Sequence, residues 1–525
     1  MSGWPRRIVL SLILVGAAAI YTANLNTAPI YLSNDETEFA IQSHAIATTA
    51  RDVDGRLLPL YFHVVDNSWF HPALFYLMAP VMTVARPHPW AVRLPIALVA
   101  LLNVLLVQVI ARRLGASDLA AMGASVLLAL TPAHVLLGRV GVDYLMPVPC
   151  VLLWLLLLID YEKSRAPSRL FAAGCVLGLG LYSYIASLVM MPVYLLVTLA
   201  MVMTTGTRRV RECLPVLSGF VLLALPLAAW HLAVPEVYTG FSQRYRGAGL
   251  DVAHHPFAFF DPTFMKERWI VFRSFFDWSF LFTLAETNVQ RSTYLSGIFL
   301  KAMEVLLPLG LYHMLRNRRS AATVVVVVSF ACAPIAASLI PERHTIERAA
   351  AMLPLGAVIG AFGMDWLLVR SGTWITWTTR AVCAGLCVWM AYQFDGFYRD
   401  YQTRYRVRSA FWFDGNHPGA FEPIVLDYRP GDPRRVYLFD GLPWIREHWR
   451  RYLIERGRSD LQTQTVFFRV ESLDLTKIPP GSVLLTGHDD AGSRALEKMK
   501  GLTIAGQTVE PDGSVSFVRF ERSQD

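Results

Sequence analysis

The chain has 525 residues, 54% of them hydrophobic and only 17% charged, with 14 Trp. That apolar content exceeds what a soluble enzyme carries and reads as a polytopic membrane protein. The net charge of +8 lies in short basic clusters between apolar runs, so it reports orientation in a membrane and argues against a nucleic-acid partner.

A transmembrane helix needs roughly 20 apolar residues. In chain order, runs near that length cover 8–21, 91–111, 119–137, 145–159, 170–187, 188–203, 213–234, 294–314, 321–340, 349–369 and 374–394. The first follows Arg6 and Arg7 and has no small-residue cleavage site before Asn24, so it reads as a retained anchor. One further run, 72–85, is short enough to be a re-entrant or interfacial helix. If it does not cross, the clusters Arg6/Arg7, Arg112/Arg113, Lys163/Arg165/Arg169, Arg208/Arg209/Arg211, Arg316/Arg318/Arg319 and Arg370 all fall on the cytoplasmic side. The positive-inside rule then places the N-terminus in the cytoplasm and the tail outside.

The expected fold is therefore mostly α: a polytopic membrane protein of about 11–13 transmembrane helices with a small C-terminal extracytoplasmic α/β domain. Residues 1–394 would form the membrane domain, with a first external loop over 25–90, and 395–525 the soluble domain. In the tail, 436–439, 465–470, 482–486, 502–509 and 514–520 read as strands, and 443–456 and 492–499 as helices. The six cysteines, Cys150, Cys175, Cys213, Cys332, Cys383 and Cys387, lie within or beside apolar segments. None has metal-ligand spacing with His, so neither a disulfide framework nor a zinc site is indicated.

The unusual polar groups collect on the external face. Asn34-Asp35-Glu36-Thr37-Glu38 sets three carboxylates where the first span ends. Asn34 or Asp35 would cap a helix there, or one carboxylate would serve as a general base. Arg139 and Asp143 stand four apart, as a local ion pair or as part of a site. Arg343, His344 and Arg348 lie outside, against the positive-inside bias. They suit a lipid-borne phosphate, which arginine binds bidentately, or else pair with Glu342 and Glu347. His71-Pro72 opens the short run as a helix start, and Tyr182 and Tyr184 would stack on a sugar or join the interfacial aromatic belt.

In this order, Asn34-Asp35-Glu36, His71-Pro72, Arg93-Leu94-Pro95 leading into Ala111-Arg112-Arg113-Leu114-Gly115, and Arg139 to Asp143 resemble the lipid-carrier-dependent GT-C glycosyltransferases. The nearest branch holds the protein O-mannosyltransferases and the bacterial aminoarabinose transferases of lipid A. The Trp-Trp-Asp signature of oligosaccharyltransferases is absent, the nearest string being Phe275-Phe276-Asp277-Trp278-Ser279.

The resemblance implies an inverting transfer of a sugar from a polyprenyl phosphate donor to a lipid, glycan or protein acceptor, with no cofactor and no catalytic metal. The site would open to the outside of a bacterial inner membrane. On that mapping Asp35 takes the catalytic acidic position, with Glu36 beside it and Asp143 as a second acidic residue. His71, Arg139, Tyr182, Tyr184, Arg343, His344 and Arg348 would bind substrate. The rival reading is a transporter or flippase of a lipid-linked sugar, which predicts paired halves; no such duplication is visible.

Overall fold

The computed structural model describes residues 3–65, 68–205, 209–247, 261–317, 320–369 and 373–523. Of the basic clusters, Arg208, Arg318, Arg319 and Arg370 lie outside the described residues. The chain divides into two compact units: Met1–Ala23 with Leu58–Leu74 and Leu94–Asp400, and Asn24–Leu57 with Phe75–Arg93 and Tyr401–Asp525. This differs from a simple cut after residue 394, because most of the 25–90 loop goes with the tail. The physical reason is that the loop's polar helix is bonded to the tail: the Asn34 N–H donates to Asp414 Oδ2 at 2.6 Å, and Thr37 Oγ1 lies 3.2 Å from His448 Nδ1.

The first unit is helical. Among the described residues, five helices are long and apolar enough to cross a membrane: Pro89–Arg113, Asp143–Ser164, Ser187–Thr205, Val210–Ala233 and Ala321–Ser338. Every apolar run expected from the sequence carries helix, but several are broken or shortened: 321–340 pauses at Ala333 and Pro334, and 170–187 leaves the helix after Gly180. The 119–137 run breaks at Leu130 and Thr131 because Pro132 opens a new helix, Pro132–Leu137, and cannot continue the old one. The 294–314 run becomes helical only at Met303. Two short strands, β1 (Phe62–His63) and β2 (Trp69–Phe70), pair antiparallel ahead of the helix Ala73–Val84.

In a bilayer, apolar side chains gain little by leaving lipid for one another, so helices associate by close backbone packing at small residues. Met303–Asn317 and Met352–Leu368 do this: a Cβ on Gly310 would lie 1.8 Å from the Ile359 carbonyl oxygen, and one on Gly363 2.1 Å from that of Leu306.

In the second unit the tail forms a five-stranded sheet from β3 (Val436–Phe439), β4 (Thr465–Phe468), β5 (Val483–Gly487), β6 (Leu502–Val509) and β7 (Val515–Arg522). Their order is β4-β3-β5-β7-β6, with β3 parallel to both its neighbours and β7 antiparallel to β5 and β6. Alternation of side chains along each strand gives two cores. Val436, Leu438 and Leu485 pack with Trp449 and Tyr452 on one face, while Tyr437, Leu484, Val518 and Phe520 cluster on the other. The helix Ile445–Arg456 carries Trp449 and Tyr452, and against it packs the acidic helix Asn34–Thr49.

Candidate functional site

The acidic helix starts on a reciprocal cap. Ser33, rather than Asn34 or Asp35, is the N-cap: its hydroxyl accepts from the Glu36 N–H at 3.3 Å, and Glu36 Oε2 accepts from the Ser33 N–H at 3.1 Å. Arg93 then enters from the start of the helix Pro89–Arg113. Its Nε donates to Glu36 Oε1 at 2.8 Å, its Nη1 to the carbonyls of Leu25 and Pro29 at 2.7 and 2.8 Å, and its Nη2 to that of Tyr31 at 2.5 Å. Both side chains are wholly buried. Glu36, expected beside Asp35 as a catalytic group, is instead the counter-charge of a buried arginine that gathers the preceding loop.

Asp35 is the half-exposed carboxylate of the three; Glu36 and Glu38 are buried. It sits in the first helical turn, and its N–H donates to Asn34 Oδ1 at 2.9 Å. The Asn34 N–H is taken by Asp414 Oδ2 at 2.6 Å, and the same oxygen lies 3.3 Å from His448 Nε2, whose Nδ1 is 3.2 Å from Thr37 Oγ1. Burial holds the Asp414 carboxyl above its ordinary range and pushes His448 down to about 3, so the imidazole is neutral. Burial, reinforced by the neighbouring Glu447 and opposed by Arg450, raises Glu38 to about 8.

In the first unit, a turn of one residue triplet, Ile346–Arg348, presents the expected cations. Glu347 points inward and gives its Oε1 to Arg291 Nη1 at 2.8 Å; Arg291 also holds Glu286 Oε1 through Nη2 at 2.6 Å. Burial raises Glu286 to about 8 against the pull of Arg291, and burial raises Glu347 as well. Arg348 is 15% exposed, with its Nε 3.8 Å from Glu347. Arg343 is exposed. His344, held at a positive φ of 66°, stacks on Phe280 at 4.6 Å and faces Asp277 at 3.8 Å; burial lowers its pKa. Of the two acids expected to absorb these cations, Glu347 is committed to Arg291 and Glu342 stays exposed.

Asp143 is buried at the start of the turn Asp143–Leu145, which packs against Ile346–Arg348. Its neighbour Tyr144 sets its ring edge-on to Tyr184 at 5.8 Å. These residues thus converge near the arginine turn. His71 and Tyr182 form a second neighbourhood: the Tyr182 carbonyl accepts from the Ala73 N–H, and the buried His71 ring lies 5.0 Å from Tyr61 and 5.6 Å from Phe241. Tyr182 turns its hydroxyl to the Leu223 carbonyl at 2.8 Å. Arg139, expected to bind substrate, is fully buried and donates to the carbonyls of Ile20 and Ala23 at 2.6 and 2.5 Å. It caps the C-terminal end of the first helix, Gly3–Thr22, where a cation meets the helix dipole.

Comparison with solved structures places this geometry. ArnT from Cupriavidus metallidurans bound to undecaprenyl phosphate superposes with TM-score 0.63 over 99% of this chain and 98% of its own, at 13% identity. The chain has the GT-C glycosyltransferase fold. The apo form of the same ArnT gives TM-score 0.59 at 14% identity, covering 97% of each chain. The archaeal oligosaccharyltransferase AglB from Archaeoglobus fulgidus, in complex with an inhibitory peptide and a dolichol-phosphate, gives 0.51 at 13% identity over 99% of this chain and 75% of its own. The family model of the dolichyl-phosphate-mannose-protein mannosyltransferases matches residues 70–232. Curated protein sequences yield no match. The length and apolarity of its own helices make this chain an integral membrane protein.

Several partners in these clusters were not expected from the sequence: Arg93 as the mate of Glu36, Asp414 and His448 on the acidic helix, and Arg291 with Glu286 beneath the arginine turn. Only the Ser33-x-x-Glu36 cap carries a local signal.

Proposed function

We propose that this protein is a membrane glycosyltransferase that moves a sugar, with inversion, from a polyprenyl phosphate donor to an acceptor outside the cytoplasm. The observation that carries the reading is the fold, shared over nearly the full length of both chains with a transferase holding undecaprenyl phosphate. The acceptor is a lipid, glycan or protein hydroxyl. Asp35 orients it and takes its proton as its oxygen bonds to the anomeric carbon. The bond from that carbon to the phosphate oxygen breaks, and the phosphate leaves with the electron pair. Arg343 and Arg348, assisted by His344, offset the negative charge that develops there. Asp143 and Tyr184 shape the sugar pocket, and His71 and Tyr182 bind substrate from the neighbouring cluster. The chain lies in a bacterial inner membrane with its N-terminus in the cytoplasm and residues 395–525 outside.

The test uses purified full-length protein in detergent, supplied with a polyprenyl phosphate sugar and candidate acceptors. Donor is expected to be consumed and product formed, whereas a transporter would leave the donor intact. Asp35→Asn should lower turnover at least about a hundredfold, the usual worth of a general base, with normal protein yield. Undiminished transfer by that variant would sink the assignment of Asp35.

A further inference from the structure

Arg348 follows Glu347 directly in the sequence, and an arginine that shares its turn with a buried carboxylate would ordinarily be neutralised by it. Here the carboxylate is turned elsewhere. Glu347 Oε1 lies 2.8 Å from Arg291 Nη1 but 3.8 Å from Arg348 Nε. Arg291 also binds Glu286, through Nη2 at 2.6 Å and Nε at 2.9 Å, so one guanidinium spans two buried acids. The second oxygens of both acids, Glu286 Oε2 and Glu347 Oε2, are buried without hydrogen-bond partners, as is Arg348 Nε. Arg348 is thus held by Glu347 only at long range, with no hydrogen bond at its Nε, and its guanidinium carries the planar donor fork that matches phosphate.

We propose that Arg291 is a positioning residue: by binding Glu286 and Glu347 together it withdraws Glu347 from Arg348 and leaves Arg348 available to a lipid-borne phosphate. This rests on the phosphate role given to Arg348 above. Arg291 touches no substrate in this scheme. Without it, Glu347 needs only a small movement to close on Arg348, which then carries no net charge to the donor. Glu286, whose pKa burial already holds at about 8 beside Arg291, is driven further toward its neutral form.

The full-length protein in detergent is titrated with undecaprenyl phosphate, and donor KM and kcat are measured alongside. Arg291→Gln should weaken lipid-phosphate binding and raise donor KM roughly tenfold or more, the usual consequence of unbalancing a buried charge pair, with kcat changed much less. Glu347→Gln alone should bind undecaprenyl phosphate as tightly as the unmodified protein or tighter. Combining Arg291→Gln with Glu347→Gln should restore most of the lost affinity, since no carboxylate remains to capture Arg348. A residue that merely holds the fold would show no such rescue. A folded double variant as weak as Arg291→Gln overturns the proposal, as does weaker binding by Glu347→Gln; the latter decides the matter even if Arg291→Gln fails to fold. Arg348→Gln separates the two levels: if it binds undecaprenyl phosphate normally, the phosphate reading itself fails, and if it binds weakly while rescue is absent, only the role of Arg291 does.

Discussion

Replacing Glu36 by Gln separates a structural carboxylate from a catalytic one. The substitution keeps the shape of the side chain but removes its charge, leaving Arg93 buried with no counter-ion. Arg93 donates to Glu36, and to the carbonyls of Leu25, Pro29 and Tyr31, all at 2.5–2.8 Å. Breaking one partner out of a buried ion pair costs about 3–5 kcal/mol. The carbonyl bonds remain, so the loss should stay near that range rather than exceed it. For a unit of this size 1 kcal/mol shifts Tm by about 2–4 °C, which gives a fall of roughly 6–20 °C. Arg93→Ala should do worse, because three buried carbonyls then lose their donor at about 1–3 kcal/mol each and the total approaches ordinary domain stability. The assay is thermal unfolding in detergent, with turnover measured per folded molecule at a temperature below both transitions. Glu36→Gln should lower Tm and leave turnover per folded molecule within a few-fold of normal. Unchanged Tm with abolished turnover would refute the reasoning and return Glu36 to the chemistry.

Two further expectations follow from packing and charge. Gly310→Val places side-chain atoms where a Cβ already lies 1.8 Å from the Ile359 carbonyl, so folded yield should collapse, while Gly385→Ala, with nothing within 4 Å, serves as the neutral control in the same expression test. Glu38 has its pKa raised from 4.5 to about 8, so the folded chain binds its proton more tightly than the unfolded chain. That contribution is whole below pH 4.5 and is lost as pH rises through about 8. Stability should therefore fall as pH rises from about 4.5 to about 8, by up to about 1.4 kcal/mol per unit, and level off above that, and Glu38→Gln should flatten the profile; a profile that stays equally steep in the variant would discount Glu38, leaving Glu447 as the titrating group.

What was legible in the sequence follows contact range. The tail strands were readable because β-branched and aromatic runs such as Val436 to Phe439 stand between turn residues, and both faces are buried. The helix start at residues 33–36 was readable as an acidic cap, with the capping residue one position earlier than expected. The break at Thr131 carried its own signal in Pro132. The partners that decide each carboxylate's role had none. Arg93 reaches Glu36 across 57 residues, and Asp414 reaches Asn34 across 380. Arg291 lies in a loop whose spacing has no period to read. Identical carboxylates in one cluster thus received different fates from residues that no local pattern connects to them.

The three-segment build of the second unit also sets a timetable. The bond from Asn34 to Asp414 joins residues 380 positions apart, and Tyr31 donates to Glu510 across 479. At a synthesis rate of about 5–20 residues per second, the ribosome delivers Asp414 roughly 20–80 s after Asn34. Arg93 arrives within seconds and can fasten the loop early, but the acidic helix acquires its support from the tail only once Asp414 and His448 have been made. A chain stalled or cut before residue 414 would hold its spans in place with the entrance to that helix still unbraced.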